Sequence, residues 1–194
     1  MSTVWLDQVT DAYVPLGGEV GESFGDVVVD VAPDRWVDAV TLARDALGLV
    51  FFDWLSAVDE LDGAFGVVTH LYDPAQHRRL LLRTRVGEDG AASLPTVTGI
   101  FAGASWHERE TFEMFGIEFV GHPYLVSLLL PEGFQGHPWR KSFVLAARAA
   151  KPWPGAKEPG ESEHGASPGR RKTQPPGVPD PVAWGPRTGE GATP

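Results

Sequence analysis

The residues best suited to chemistry crowd into one stretch. Glu108, Glu110 and Glu113 follow His107 within a few positions, and the tripeptide Gly121-His122-Pro123 is repeated as Gly136-His137-Pro138. Paired carboxylates such as Glu110 and Glu113 suit general acid–base work when a nucleophile and its base stand nearby. No such pairing accompanies them, and no G-x-G-x-x-G follows a strand to cradle a phosphate. His107, His122 and His137 are of a type that binds metals. The chain nevertheless has no Cys, no His-Glu-x-x-His and no close His pair on one helix face. A stand-alone His-dependent metalloenzyme is therefore the weakest of the open alternatives.

These residues need elements to hold them. Ser105 with Glu108 three positions later reads as a capping box, and Gly116 reads as a C′ residue with positive φ, which frames a helix over Trp106–Phe115. At 100° per residue Glu108, Phe112 and Phe115 share one face, while Trp106, Glu110, Glu113 and Met114 spread over the other, so the helix is expected to be covered on two sides. Arg109 precedes Glu113 by four positions, the spacing of an internal ion pair. Glu108, among Phe side chains, is expected to cap the helix N-terminus or, in a sharper reading, to grip a cation from a neighbouring segment. Each Gly-His-Pro is expected to be a rigid bend, with glycine allowing the turn and proline holding the histidine extended.

Upstream, Val-rich Asp26–Val31 reads as a strand, Pro33–Leu47 as a helix with Trp36, Val40, Ala43 and Leu47 facing a core, and Leu49–Trp54, Phe65–Tyr72 and Leu80–Val86 as further strands. Arg83-Thr84-Arg85 suggests a wet face, residues 87–90 a loop, and Leu94–Val97 a short extended piece. The expected fold class is α+β, a two-layer domain with one mixed β-sheet and two main helices on one face. Residues 1–25 are expected as a loosely held N-terminal arm, with Trp5-Leu6 able to dock somewhere, 26–145 as the domain, and 146–194 as an extended or disordered tail. From Lys151 about two-fifths of the residues are Pro or Gly, too little apolar surface to offset ordering. Arg170-Arg171-Lys172 reads as part of a solvated tail; were the tail an arm laid on a partner, Trp153 and Trp184 would anchor it.

The same residues carry a resemblance. Glu108-Arg109-Glu110, an aromatic, an acid, Met114-Phe115-Gly116-Ile117, Gly121-His122-Pro123, then Pro131-Glu132-Gly133-Phe134-Gln135-Gly136-His137-Pro138 with Arg140-Lys141, resemble the signature of the 30 kDa subunit of respiratory complex I, the C subunit of bacterial NADH-quinone oxidoreductase. Phe52–Asp59 and Phe65–Leu71 are similar too, so the resemblance runs from about Asp26 to Phe143. It departs in two places. Glu113 stands where the family usually has Asp, and Tyr124-Leu125-Val126-Ser127 lacks the usual arginine pair, as in a divergent paralogue.

The resemblance implies a non-catalytic subunit that braces the peripheral arm and packs on the 49 kDa-type subunit beside the quinone pocket. The chain itself would bind no cofactor, while the assembled complex would use iron–sulfur clusters, quinone and FMN with NADH. It further implies that Glu108, Arg109, Glu110, Glu113, Gly116, both Gly-His-Pro corners, Arg140 and Lys141 are interface or scaffold residues. The complex would lie at the cytoplasmic face of the bacterial cell membrane, with this subunit peripheral. An equivalent subunit of a membrane-bound hydrogenase, or of a ferredoxin- or F420-linked complex, is the alternative of the same kind.

Bulk composition agrees with that picture. A formal net charge of -10 argues against nucleic acid and against direct docking on an anionic membrane. With zero Cys the chain holds neither disulfides nor thiolate-bound iron–sulfur clusters. No signal peptide and no apolar run of about eighteen residues is present, so contact with a membrane is expected only through the complex.

Overall fold

The computed structural model describes residues 3–87 and 92–143. Most of the expected 87–90 loop, and the tail beyond Phe143 with Trp153, Arg170-Arg171-Lys172 and Trp184, lie outside the described residues. The elements run α1 Thr3–Tyr13, β1 Glu19–Ser23, β2 Asp26–Val31, α2 Trp36–Asp45, β3 Phe51–Asp59, β4 Ala64–Asp73, β5 Arg78–Gly87, β6 Ser93–Pro95, α3 Ala104–Phe115 and β7 Glu118–Val120. Five strands form one mixed sheet in the order β1-β2-β5-β4-β3, with β2 and β5 parallel and the other neighbours antiparallel. β6 and β7 form a separate parallel pair.

Side-chain alternation decides which face is covered. Phe65, Val67, Thr69 and Leu71 of β4 lie opposite Val86, Thr84, Leu82 and Leu80 of β5, and all eight are buried. They join Val27, Val29 and Val31 of β2 and Leu55 and Ala57 of β3 in a core shared with Trp36, Ala39, Val40 and Ala43 of α2 and with Ala104, Met114 and Phe115 of α3. The other face is charged, as Arg83 and Arg85 suggested. There Arg83 pairs with Asp30, Arg79 with Asp26 at 3.0 Å, Arg85 with Asp62, and His70 with Asp53 at 2.9 Å. Leu81, between the buried Leu80 and Leu82, turns to this outer side opposite Val28 and His70.

Residues 3–25 do not form a loose arm. Trp5, Val9 and Tyr13 recur at four-residue spacing, place one stripe of α1 in the core, and are 5%, 0% and 0% exposed. The Tyr13 hydroxyl donates to the Ala39 carbonyl of α2 at 2.8 Å, and the Trp5 indole to the Arg79 carbonyl of β5 at 3.1 Å. β1 then pairs along β2. The strand signal was faint because Glu19–Ser23 lies at a sheet edge and buries none of its five residues.

Contacts divide the chain into two units. The first comprises residues up to Leu130 together with His137–Lys141, and the second comprises Pro131–Gly136 and the chain from Ser142 on. Within the described part of the second, the Phe134 amide donates to the Pro131 carbonyl and the Phe134 ring stacks on Phe143 with centroids 6.0 Å apart.

Candidate functional site: a strap clamped across helix α3

Helix α3 is held at both ends by backbone and side chains that come from elsewhere. Its N-terminus differs from the capping box. The helix starts two residues earlier, at Ala104, with Gly103 as N-cap and no side-chain cap. The tight turn over Val97–Phe101 leads straight in, and the Ala104 and Ser105 amides donate to the Phe101 and Ala102 carbonyls, so the first donors are already satisfied. Glu108 is thereby released from capping. Its fully buried carboxylate accepts from the Val97 amide at 2.7 Å and the Thr96 hydroxyl at 2.5 Å, tying the helix to the segment after β6. Burial pushes its pKa up to about 7, against the lowering effect of those two hydrogen bonds.

The C-terminus is closed by the second Gly-His-Pro corner. Gly116 adopts φ 74°, and its amide donates to Phe112 O. The next three carbonyls each find a donor: Glu113 O from His137 Nδ1 at 2.8 Å, Met114 O from the Trp139 amide at 3.1 Å, and Phe115 O from Arg140 Nε at 2.6 Å. A cation at the negative end of the helix is also favoured electrostatically. The packing is so close that a Cβ on Gly116 would lie 2.6 Å from His137 Nε2 and 2.7 Å from Arg140 Nη2. Arg140 also lies over the Phe65 ring, and the Lys141 amide donates to Asp59 Oδ2 at 2.8 Å. That bond, with the Leu61 amide, holds the Asp59 carboxyl below its usual range.

Between the two corners, residues 122–130 run as a strap over α3. Arg109 and Glu113 do not pair with each other. Arg109 donates to the carbonyls of Val126 and Ser127, both at 2.9 Å, and lies over the Tyr124 ring. Glu113 accepts the amides of Leu128, Leu129 and Leu130 at 3.2, 2.9 and 2.9 Å. The strap has no regular ladder, so its amides and carbonyls need such partners. Helix spacing places one donor-rich and one acceptor-rich side chain where they serve it. The first corner fixes the strap's beginning: Gly121 has φ 84°, His122 Nδ1 accepts the Tyr124 amide at 3.0 Å, and Nε2 lies 3.1 Å from the Ser105 carbonyl.

Ser105, His122 and Glu108 come together, yet not as a hydrolytic triad. Ser105 Oγ, at 3.3 Å, and Glu108 Oε2, at 4.0 Å, both face the same His122 nitrogen, Nε2, while Nδ1 is taken by the Tyr124 amide. A base that activates serine needs the acid on its opposite nitrogen. Glu113, bound to three amides, is equally unsuited to act with Glu110 as an acid–base pair. The three histidines diverge: His107 lies against the Leu55 backbone, His122 against Ser105, and His137 against Glu113 O. Among the described residues no three His, Asp or Glu side chains group as metal ligands.

Of the residues singled out from sequence, Glu108, Arg109, Glu113, Gly116, Gly121, His122, Gly136 (φ 95°), His137, Arg140 and Lys141 take part in these clamps and bends. Pro123 and Pro138 follow the two histidines they restrict. Glu110 stands apart, half-buried and without a hydrogen bond among the described residues. Two-sided covering of α3 holds for Glu108, Thr111 and Phe115 on one side and Glu113 and Met114 on the other, whereas Trp106 is 67% exposed. Sequence reasoning missed Thr96, Val97 and Asp59. The Thr96-Val97-Thr98 turn preceding a carboxylate with no local role was the available signal.

A model of the family described as the respiratory-chain NADH dehydrogenase 30 Kd subunit matches residues 29–149. The NADH-quinone oxidoreductase C subunit of Roseiflexus sp. (strain RS-1) is 44% identical over 127 residues, 63% of this chain and 72% of its own length. That of Mesorhizobium japonicum is 38% identical over 131 residues, 63% of this chain and 62% of its own, and that of Salinispora arenicola is 34% identical over 153 residues, 73% and 62%. Among solved structures, a chain of the archaeal membrane-bound sulfane sulfur reductase shares the fold, with a TM-score of 0.58 at 21% identity over 65% of this chain and 76% of that one. Among the described residues no helix is long and apolar enough to cross a membrane.

Proposed function

The chain belongs to the family of the 30 kDa subunit of respiratory-chain NADH dehydrogenase, and from that membership we propose that it is a non-catalytic bracing subunit of a proton-translocating NADH-quinone oxidoreductase. One observation carries the reading. The polar signature of this chain is directed at its own backbone: Arg109, Glu113, His137 and Arg140 satisfy strap and helix groups instead of facing a cavity. Outward on α3 and the strap stand Trp106, Tyr124 and Leu129, exposed by 67%, 64% and 59%, with Glu110 one turn from Trp106 on α3. A rigid scaffold presenting large aromatic groups suits a permanent interface with a neighbouring chain.

In this proposal the surface packs on the 49 kDa-type subunit, in the peripheral arm at the cytoplasmic face of the bacterial membrane. Electron transfer from NADH through FMN and iron–sulfur clusters to quinone is the work of neighbouring chains. The residues expected to meet the partner are Trp106, Glu110 and the strap. Gly116, Gly121, His122, Gly136, His137, Arg140 and Lys141 are scaffold residues that keep that surface in place.

Native gels of membranes from cells carrying only Trp106→Glu or only Glu110→Lys test the assignment. Neither side chain has a hydrogen bond, ion pair or ring contact among the described residues, so the purified variants should melt within about 0.5 kcal/mol of wild type. The assembled complex should be depleted in both. Normal levels of intact complex in both would show that this face is not the interface.

A further inference from the structure

Two buried ionisable side chains meet where the strap begins, and nothing in the bracing role uses their ionisation. Glu108 and His122 are both 0% exposed at the side chain, with Oε2 and Nε2 4.0 Å apart. The hydrogen bonds fix their proton inventory. Nδ1 of His122 accepts the Tyr124 amide and therefore carries no proton, so Nε2 bears the hydrogen and donates it to the Ser105 carbonyl. Glu108 Oε1 accepts from the Val97 amide, and Oε2 shares a proton with Thr96 Oγ1, which is itself 2.9 Å from Thr98 Oγ1.

Other charges that face this site are occupied elsewhere. On α3, Arg109 and Glu113 serve the strap, His107 lies against Leu55, and Glu110 has no partner among the described residues. The segment 93–103 contains no ionisable side chain. From α2, Arg44 reaches the Ile100 carbonyl and Asp45; on β7, Glu118 is exposed; in the corner, Tyr124 lies under Arg109. His122 is the one other ionisable side chain paired with Glu108 within 4.0 Å among the described residues.

We propose that Glu108 and His122 form a proton-linked clasp, in which ionisation of Glu108 draws His122 Nε2–H from the Ser105 carbonyl to the carboxylate and loosens the strap's first corner. With Glu108 protonated, its Oε2–H donates to Thr96 Oγ1, Thr96 turns its own hydrogen to Thr98 Oγ1, and His122 stays on Ser105. With Glu108 ionised, a buried negative charge becomes the stronger acceptor for Nε2–H. Because Nδ1 is fixed to the Tyr124 amide, the ring can answer only by shifting as a body, and it takes Tyr124 with it. A carboxyl that titrates near neutrality gives the clasp its working range. Strap side chains such as Tyr124 are thereby presented differently on the two sides of that range.

The test is an NMR titration of the full chain between about pH 5.5 and 9, following His122 ring nitrogens and the Tyr124 amide. Wild type should show both signals moving together with one midpoint near neutrality, and Glu108→Gln should lose the Tyr124 amide step that accompanies the ring. Thr96→Val, which removes a donor to the ionised carboxylate, should move the midpoint up by about half a unit or more, and it carries the test if Glu108→Gln does not fold. A wild type without the step, the same step in Glu108→Gln, or an unmoved midpoint in Thr96→Val overturns the clasp.

Discussion

Residues in this chain act through single atoms. Glu108 is the clearest case, because its folded pKa of about 7 lies above the usual carboxylate value of 4.5. The folded state therefore binds the proton more tightly than the unfolded one. This contribution is fully present below about pH 4.5 and is lost as pH rises through about 7, a change on the order of 3 kcal/mol. Chemical denaturation of wild type and Glu108→Gln at acid and neutral pH measures it: the stability difference between the two should fall across that window in favour of the variant. Carboxyls held low, such as Asp59 and Asp62, act in the opposite sense at more acid pH and cancel in the comparison. Thr84 offers a second residue-scale check. It is 3% exposed on β5, and its hydroxyl has no partner among the described residues. Thr84→Val removes that unmet donor in a strand that favours Val, so the melting midpoint should hold or rise, by about 0.5–2 kcal/mol in stability.

At the scale of elements, α3 and the strap are one unit joined by side chain to backbone. Glu113→Gln leaves a single carbonyl oxygen where a carboxylate served three amides. The expected loss is about 1–3 kcal/mol, concentrated in hydrogen exchange of Leu128–Leu130 and smaller in the sheet. Gly116→Ala strikes the other clamp. It forces alanine to φ 74° and drives Cβ against His137 and Arg140 at 2.6 and 2.7 Å, so a loss above about 2 kcal/mol is expected in urea melts, with Arg140 displaced. The four-residue spacing of Arg109 and Glu113 suggested an internal ion pair from sequence. The strap wins both side chains because unpaired backbone groups beneath a covering segment cost more than a helix-surface ion pair gains.

For the molecule as a whole, one sheet face holds the core and the other holds cross-strand ion pairs. Disrupting the outer face, for instance Arg83→Ala against the half-exposed Asp30, should cost less than about 1 kcal/mol. Deleting residues 1–16 should instead be severe. It strips Trp5, Val9 and Tyr13 from the core, where truncating each buried large side chain alone costs about 2–5 kcal/mol, and the shortened chain should be recovered unfolded by circular dichroism. A shortened chain that melts cooperatively near the wild-type temperature would show that α1 is dispensable.

The sequence by itself determined whatever depends on local pattern. β2 was legible to the residue because Val27, Val28 and Val29 favour an extended chain, α3 because of Gly116, and the wet face because Arg83 and Arg85 alternate with Thr84. The family was legible because its signature is long and unusual. Tertiary structure alone decided where the polar side chains of that signature point. Glu108 left the helix end for Thr96 and Val97, Arg109 and Glu113 left each other for the strap, and His137 with Arg140 closed a helix more than twenty residues behind them. Local spacing shows which groups are near in the chain. A buried amide or carbonyl is satisfied by whichever segment the fold brings to it, and that pairing is settled only when the layers close.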